Sequence, residues 1–393
     1  MSAPVRVRFA PSPTGPLHAG SARTALLNWL FARSRDGDVL LRIDDTDRER
    51  SRVELEQPIF DDLEWLGIDW DSGPVRQSER TELYAAALER LPTVDRDGAF
   101  EFEGRVIARA DGSALYHLAT AVDEIDDGIT HVLRGRDHLE NTRLQAAIIK
   151  ALGAQPPEYV HVPLMTFPGG GKLSKRETDG TLDATIAALR KDGIPPAAVA
   201  NAMAISLADY GTDEVMLTLD EMAQRFSLDN IHTADSQFDV DKLLWLSGQH
   251  IRAMSDDELA SRLAEFAPVQ RSSAVLEAAR TGGTTLRECA QVAIDLIDPP
   301  DPDEQGRELA ATDEARAAAR LLCELSPQPP ASLGDAERLF DALKARLRED
   351  GIKLGPALRG LRAALTGRDH GPEMPYVLAT VSVERLRRLC GLG

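Results

Sequence analysis

Short apolar runs alternate with segments of helical spacing along the first part of the chain. Four such runs predict strands, at residues 5–9, 38–43, 131–135 and 159–167. Apolar residues at helical spacing predict one amphipathic helix after residue 18 and three more at 52–66, 80–91 and 139–152. The stretch between the second and third helices is predicted as a polar turn, and residues 92–113 as a short polar segment with a small hairpin. Strands that alternate with helices favour right-handed crossovers and a parallel sheet, so the predicted fold class is α/β.

The pattern changes after about residue 183. Leu, Ala, Arg and Glu dominate, strand signals fade, and helices are predicted at 183–192, 196–208, 218–225 and 239–249. Proline-rich breaks at 299–303 and 327–330 indicate connections between helices. The C-terminal third is therefore predicted to be all-helical.

Composition and charge narrow the class of protein. With 393 residues, the chain is long enough for two or three domains. Its formal net charge of −19 argues against a polybasic protein that holds nucleic acid by bulk charge. No apolar run approaches the length of a membrane span, and the beginning of the sequence lacks the features of a signal peptide. We therefore expect a cytoplasmic protein that does not associate with membranes.

Cysteine usage points the same way. Cys289, Cys323 and Cys390 are scattered through the C-terminal third without CxxC spacing. This pattern predicts neither a disulfide framework nor a zinc site, and it fits a reducing compartment.

A candidate phosphate site lies at the first strand, turn and helix. The Pro/Gly turn at 10–15 separates the strand from a helix start that carries His18 and Gly20. Backbone N–H groups and the positive end of a helix dipole bind anions at such a place. Ser12 and Thr14 supply hydroxyls, and Gly20 would let a ligand approach the backbone. The alternative for His18 is an ordinary capping or packing role.

Two further groups of residues could carry chemistry. Three glycines precede the cationic segment from Lys172 to Arg176, which is either a solvated turn or a mobile clamp on a polyphosphate. Arg8 and Arg134 stand at the ends of predicted strands, where each is either half of a structural ion pair or a bidentate partner for a substrate carboxylate. Tyr116, Asp44 and Thr120 could complete such a pocket.

Four ordered segments resemble one enzyme family. They read PSPTGPLHAGSARTALLNWLFAR, LRIDDTDRER, THVLRGRDHLENTRLQ and KLSKR. In this order they are similar to the signature segments of class I aminoacyl-tRNA synthetases, specifically of the bacterial-type glutamyl-tRNA synthetases. The resemblance continues into the helical tail at 238–252 and 354–372.

The resemblance implies a fold, an activity and a set of site residues. The fold would be a Rossmann-like catalytic domain at 1–165, a connecting domain of the stem-contact type at 166–250, and an all-α anticodon-binding-type domain at 251–393. The activity would be ATP-dependent activation of L-glutamate and its transfer to tRNA(Glu), with Mg²⁺ accompanying ATP, no protein-bound zinc, and a monomeric enzyme. The implied catalytic residues are His18, Gly20 and Lys175. The implied ATP-binding residues are Pro11, Thr14, His18, Gly20, Lys172, Ser174 and Lys175. The implied glutamate-binding residues are Arg8, Ser12, Asp44, Tyr116, Thr120 and Arg134.

The sequence departs from the family pattern at several points. Asp44 stands where the family usually has Glu, Thr120 where it has Asn, and Arg136 where it has an acidic residue. The long acceptor-end-binding insertion of the family is reduced here to about residues 92–113.

Three hypotheses follow from this combination. The first is a compact synthetase that relies on its helical domain to hold tRNA. The second is a paralogue that adenylates an amino acid and passes it to another acceptor. The third is a non-catalytic binding module derived from such an enzyme, against which the presence of His18, Gly20 and Lys175 argues.

Overall fold

The computed structural model describes residues 4–47, 49–166, 183–269 and 271–390, and it divides the chain into two compact units. The first unit comprises Met1–Lys191 and Pro196–Leu246, and the second Asp192–Pro195 and Ser247–Gly393. The division at residues 165 and 250 implied by the family resemblance stays a prediction.

The first unit contains all ten strands of the described residues. They are β1 (Arg6–Phe9), β2 (Asp38–Ile43), β3 (Ser72–Arg76), β4 (Val94–Arg96), β5 (Ala99–Phe102), β6 (Arg105–Ala108), β7 (His131–Gly135), β8 (Glu158–Val162), β9 (Met165–Thr166) and β10 (Ser236–Gln237). Its helices are α1 (Ala19–Arg33), α2 (Glu56–Leu66), α3 (Thr81–Arg90), α4 (Tyr116–Asp126), α5 (Leu139–Ala151), α6 (Ile186–Lys191), α7 (Pro196–Leu207) and α8 (Leu219–Arg225). Helix α9 (Val240–Ala253) spans the boundary at which the division falls.

Parallel pairing organises the strands around which the site is built. Strand β2 pairs in parallel with β1 on one side and with β3 on the other, and β7 pairs in parallel with β8. The backbone N–H of Thr130 donates to the carbonyl of Arg6 at 2.9 Å and so links the start of β7 to β1. The predicted α/β class with parallel strands is confirmed, and the carboxyl ends of β1, β2 and β7 come to one region.

Three local predictions need correction. The segment predicted as a polar turn contains β3, which was missed because Gly73 and Pro74 are residue types typical of turns. The small hairpin of the reduced insertion is a three-stranded antiparallel sheet of β4, β5 and β6. The predicted strand at 159–167 ends at Val162, and a separate short strand, β9, follows it.

Helix α1 is buried on more than one face. Arg23 is 5% exposed and Asn28 is fully buried, although an amphipathic helix would turn them to water. The Asn28 amide donates to the carbonyl of Leu133 at 3.1 Å, and Arg23 donates to the carbonyl of Pro163 and to Ser236. The helix therefore lies inside the first unit, and these polar side chains fasten it to strand ends.

The second unit is helical throughout its described residues, as predicted. Its helices are α10 (Asp256–Leu263), α11 (Ser273–Gly282), α12 (Leu286–Ile297), α13 (Glu304–Ala310), α14 (Asp313–Leu325), α15 (Leu333–Glu349), α16 (Leu354–Thr366), α17 (Met374–Thr380) and α18 (Val383–Leu389). Leucines from α14, α15 and α16 form its main core, among them Leu322, Leu343 and Leu361, all of them fully buried. None of the described helices of the chain combines the length and the apolar character needed to cross a membrane.

A disulfide in the second unit corrects the cysteine prediction. Cys323 on α14 is bonded to Cys390, which directly follows α18, and 67 residues separate them in sequence. Cys289 is a buried free thiol. Sequence spacing could not show the bridge, because the pairing is made by the packing of helices that are distant in the chain.

Candidate active site

One cavity collects most of the residues singled out from the sequence. It measures about 360 Å³ and lies where the carboxyl ends of β1, β2 and β7 meet the start of α1 and the first turn of α4. Ten of the predicted site residues line it: Arg8, Pro11, Ser12, Thr14, His18, Gly20, Asp44, Tyr116, Thr120 and Arg134. Lys172, Ser174 and Lys175 lie outside the described residues. The carboxyl edge of a parallel sheet is the usual ligand position in α/β folds.

The turn after β1 is tied to the end of β2. The backbone N–H of Asp44 donates to the carbonyl of Pro11 at 3.0 Å, and that of Arg52 donates to the carbonyl of Pro13 at 3.1 Å. These bonds hold Pro11, Ser12 and Thr14 along the wall of the cavity in front of α1. The helix N-terminus then offers its positive dipole end to this space, as an anion requires.

His18 is the N-cap of α1. Its Nδ1 accepts a hydrogen bond from the backbone N–H of Ser21 at 3.2 Å, and its Nε2 lies 3.1 Å from the Ser21 hydroxyl. Because Nδ1 accepts, the neutral ring carries its proton on Nε2. The imidazole also lines the cavity, so the capping role and contact with a ligand are compatible.

The two arginines of the cavity differ in their partners. Arg8 Nε donates to the Glu124 carboxylate at 2.9 Å, and both side chains are buried. Arg134 donates to the Thr142 hydroxyl and to the Gln145 side-chain carbonyl, each at 2.8 Å. Burial lowers the pKa of Arg134, and the Glu124 carboxylate and two tyrosines offset this lowering only in part. Arg8 thus shares its charge with a hydrogen-bonded carboxylate, whereas Arg134 is hydrogen-bonded only to neutral groups of the described residues.

A second, deeper ion pair lies under the cavity floor. Arg42 is fully buried and donates through Nε to Asp44 at 2.7 Å. Burial alone would lower the pKa of Arg42, but Asp44, Glu124 and Asp123 raise it well above the usual value. Desolvation raises the pKa of Asp44 despite the pairing with Arg42. Asp44 faces the cavity, with its carboxylate held back against this guanidinium.

Helix α4 presents two of the predicted residues one turn apart. Tyr116 and Thr120 are at i and i+4, which places them on one face of the helix. The Tyr116 hydroxyl lies 3.3 Å from His138 Nδ1. The Thr120 hydroxyl is buried and has no hydrogen-bond partner among the described residues. An orphaned hydroxyl in a polar cavity is a group that a ligand or a water can satisfy.

Four residues that line the cavity or contact its arginines were not predicted from the sequence. Arg23 and His138 line it. Glu124 accepts a hydrogen bond from Arg8, and Gln145 accepts one from Arg134. Arg23, His138 and Gln145 lie inside the motif segments but were given no role there, and Glu124 lies outside every predicted strand and helix. Arg136, at the position that is usually acidic in the family, forms an exposed ion pair with Asp235.

The described residues do not form a metal-binding cluster. No group of three or more His, Cys, Asp or Glu side chains in them is arranged to hold a metal ion.

Comparison with known proteins gives a consistent picture. Residues 4–100 and 97–245 match the family described as tRNA synthetases class I (E and Q), catalytic domain, and residues 258–389 match an anticodon binding domain. A glutamate–tRNA ligase 1 from Rubrobacter xylanophilus is 37% identical to the chain over 99% of it and 97% of the relative. A glutamate–tRNA ligase from Akkermansia muciniphila is 34% identical over 98% of each.

A solved structure shows the same fold. A glutamate tRNA ligase from Elizabethkingia meningosepticum superimposes with a TM-score of 0.81 at 23% identity, and 99% of each chain is covered. At this identity the likeness concerns the fold, and the residues covered include those of each unit.

Proposed function

We propose, from the premise that this chain belongs to the class I tRNA synthetases (E and Q), that it is a glutamate–tRNA ligase. The enzyme activates L-glutamate with ATP and transfers the glutamyl group to the 3′ end of tRNA(Glu). The observation that carries the proposal is one cavity at the carboxyl edge of the parallel strands, whose lining includes ten residues that the family resemblance implies. The similarity to glutamate–tRNA ligases along nearly the whole chain supports the same substrate pair.

The chemistry consists of two displacements. An oxygen of the glutamate α-carboxylate attacks the α-phosphorus of ATP, and pyrophosphate leaves to give glutamyl-adenylate. A hydroxyl of the terminal ribose of tRNA then attacks the activated carbonyl carbon, its proton is lost, and AMP leaves. Neither step needs a covalent enzyme nucleophile, so positioning and charge neutralisation supply the rate.

The residue roles divide the cavity in two. Pro11, Thr14, His18 and Gly20 take the nucleotide, which is supported by their place at the start of α1. Six residues take the amino acid: Arg8, Ser12, Asp44, Tyr116, Thr120 and Arg134. Buried guanidinium groups beside an orphaned hydroxyl suit a doubly acidic substrate. The family resemblance implies that Lys172, Ser174 and Lys175 bind the phosphates and that Lys175 stabilises the transition state.

A metal ion would come with the nucleotide. Mg²⁺ prefers oxygen ligands and retains waters, and it is commonly held by one or two carboxylates together with substrate phosphates. We expect the phosphates of ATP to supply its main ligands in this site. The expectation that the protein binds no zinc stays a prediction.

The partners and setting follow from the same proposal. The enzyme binds tRNA(Glu) and works as a cytoplasmic monomer. The match to an anticodon binding domain at 258–389 supports tRNA, in preference to another amine or hydroxyl, as the acyl acceptor. The reduced insertion is the small sheet of β4, β5 and β6, so we expect the acceptor end of tRNA to be held over a smaller surface than in relatives with a long insertion.

Isotope exchange between ATP and pyrophosphate tests the first step. With ATP, Mg²⁺ and total tRNA present, labelled pyrophosphate should enter ATP only when glutamate is added. Exchange should fall to background with aspartate. Absence of exchange both with and without tRNA would contradict the adenylation proposal and favour a binding module.

A further inference from the structure

The charges of the two cavity arginines are compensated unequally. Arg8 is hydrogen-bonded to a carboxylate, that of Glu124, at 2.9 Å. Arg134 is hydrogen-bonded only to neutral groups of the described residues, the Thr142 hydroxyl and the Gln145 side-chain carbonyl. Both guanidinium groups line the same cavity and both are nearly buried, with 6% of Arg8 and 5% of Arg134 exposed. Arg8 therefore has a hydrogen-bonded carboxylate, and Arg134 has none among the described residues.

The other contacts of Arg134 bring no carboxylate into hydrogen-bonding distance of its guanidinium group. The Tyr159 ring lies under the guanidinium carbon, with 5.4 Å from that carbon to the ring centroid. The Nε–H of Arg134 is buried without a hydrogen-bond partner among the described residues. A buried donor without a partner costs free energy that a ligand anion can recover. A bound ligand anion could therefore supply the hydrogen-bond acceptor that the Nε–H of Arg134 lacks among the described residues.

Gln145 is placed so that it orients Arg134 without neutralising it. It lies on α5, three residues after Thr142, so the two side chains share one face of the helix. Gln145 is fully buried, and its Oε1 accepts from the same Nη2 to which Thr142 is bonded. Arginine only donates hydrogen bonds, so the carbonyl end of the amide must face it. Glutamate at this position would have nearly the same shape but would add a negative charge 2.8 Å from the guanidinium nitrogen.

We propose that Gln145 is a specificity-determining positioning residue, because its neutral hydrogen bond holds Arg134 in place and leaves the arginine charge free for the substrate side-chain carboxylate. This inference rests on the proposed function, since it assigns the discrimination between glutamate and glutamine to that site. An uncompensated cation in a buried site attracts a carboxylate more strongly than a neutral carboxamide. An acidic residue at position 145 would remove that preference.

The test compares two substitutions in the full chain, Gln145→Glu and Gln145→Met. The first keeps the shape and adds the charge, and the second removes the acceptor and adds no charge. The readouts are the KM for glutamate in pyrophosphate exchange with tRNA present, the inhibition constant of glutamine, and the KM for ATP. Calorimetric titration with glutamate and with glutamine gives the same preference without turnover.

We expect the two variants to differ in selectivity. Gln145→Glu should raise the KM for glutamate by about tenfold or more, which is the effect of losing one hydrogen bond to a charged group, here the bond between Arg134 and the substrate carboxylate. The preference for glutamate over glutamine should fall by a similar factor. The KM for ATP should not change. Gln145→Met should raise the KM for glutamate through poorer orientation of Arg134 and keep the preference, because the charge remains.

Several results would overturn the inference. An unchanged preference in Gln145→Glu, or an equal loss of preference in Gln145→Met, would show that the charge at position 145 does not govern selection. If Gln145→Glu fails to fold by circular dichroism, Gln145→Met decides: an unchanged KM for glutamate excludes the orienting role. If the wild-type protein shows no exchange, the proposed function fails, and the calorimetric preference of the variants still decides the role of Gln145.

Discussion

At the scale of single residues, the two cavity arginines differ in the partners that compensate their buried charges. Arg8 belongs to a buried ion pair with Glu124, and the same carboxylate lies 3.7 Å from Arg42. Removing one member of a buried pair leaves an uncompensated charge, which is costly. Arg134 has no hydrogen-bonded carboxylate among the described residues, so its removal would not take the hydrogen-bonded cation from a buried carboxylate. Substitutions of the two arginines should therefore have different consequences.

The contrast between Arg8 and Arg134 is measurable. Arg8→Leu should lower the stability of the first unit by about 3 kcal/mol, because Glu124 loses its closest cation. Arg134→Leu should leave stability nearly unchanged and raise the KM for glutamate strongly. Urea unfolding followed by circular dichroism, together with exchange kinetics, measures both. Equal destabilisation by the two changes would contradict the assignment of unequal pairing.

The roles of site residues were predictable where a sequence motif indicates them, and unpredictable where only the packing of the fold brings a residue to the site. Seven of the ten predicted residues that line the cavity stand in the motif segments, whose residue types already suggest phosphate and carboxylate binding. Gln145 ends a motif segment and Glu124 lies outside the predicted elements, and only the packing of α4 and α5 shows that both contact the cavity arginines. Their importance depends on long-range contacts that no local pattern contains.

At the scale of elements, the start of α1 combines a structural and a chemical role. The imidazole of His18 caps the helix, and asparagine is also a good N-cap. Asn should therefore preserve the cap while removing the ring that we propose to contact ATP. This separates the two roles of one residue.

His18→Asn should keep the stability of the first unit within about 0.5 kcal/mol, whereas His18→Ala should lose about 1 kcal/mol. Both variants should be slow in adenylation. The comparison of unfolding curves and exchange rates checks this expectation. Full activity in His18→Asn would show that the imidazole acts only as a cap.

A second element-scale feature is the bridge between α14 and the end of α18. A cross-link that closes a loop of 67 residues mainly restricts the unfolded chain. In a reducing cytoplasm such thiols stay reduced, so the bridge would form only on oxidation.

Cys323→Ser should lower the stability of the oxidised second unit by about 2–4 kcal/mol. Excess reductant should bring the wild-type protein to the stability of this variant and leave the variant unchanged. Thermal unfolding with and without dithiothreitol checks both statements. A wild-type protein that does not respond to reductant would contradict the bridge.

Element boundaries were predictable where the hydrophobic period was clear. β2 and β7 match the expected bounds, whereas β3 was missed because Gly73 and Pro74 favour a turn. The strand tolerates proline because β3 pairs only with β2 and lies at the end of this three-stranded sheet. Its existence follows from the sheet that it joins and not from its own residues.

At the scale of the whole molecule, the fold class and the order of the units were predictable. Alternating strands and helices followed by a long helical region leave few architectures open, and the structure has this order. The net charge of −19 does not prevent tRNA binding, since phosphate contacts need only local Lys and Arg. It does predict that binding depends on those contacts and weakens as salt is raised.

Charging of tRNA is the measurement that tests the central claim most directly. Purified protein is incubated with labelled glutamate, ATP, Mg²⁺ and total tRNA, and acid-precipitable label is counted. We predict ATP-dependent label on tRNA(Glu), absent when ATP is omitted and not reproduced with labelled glutamine. Glutamate-dependent exchange without any transfer of label to tRNA, or charging with glutamine in place of glutamate, would contradict the account.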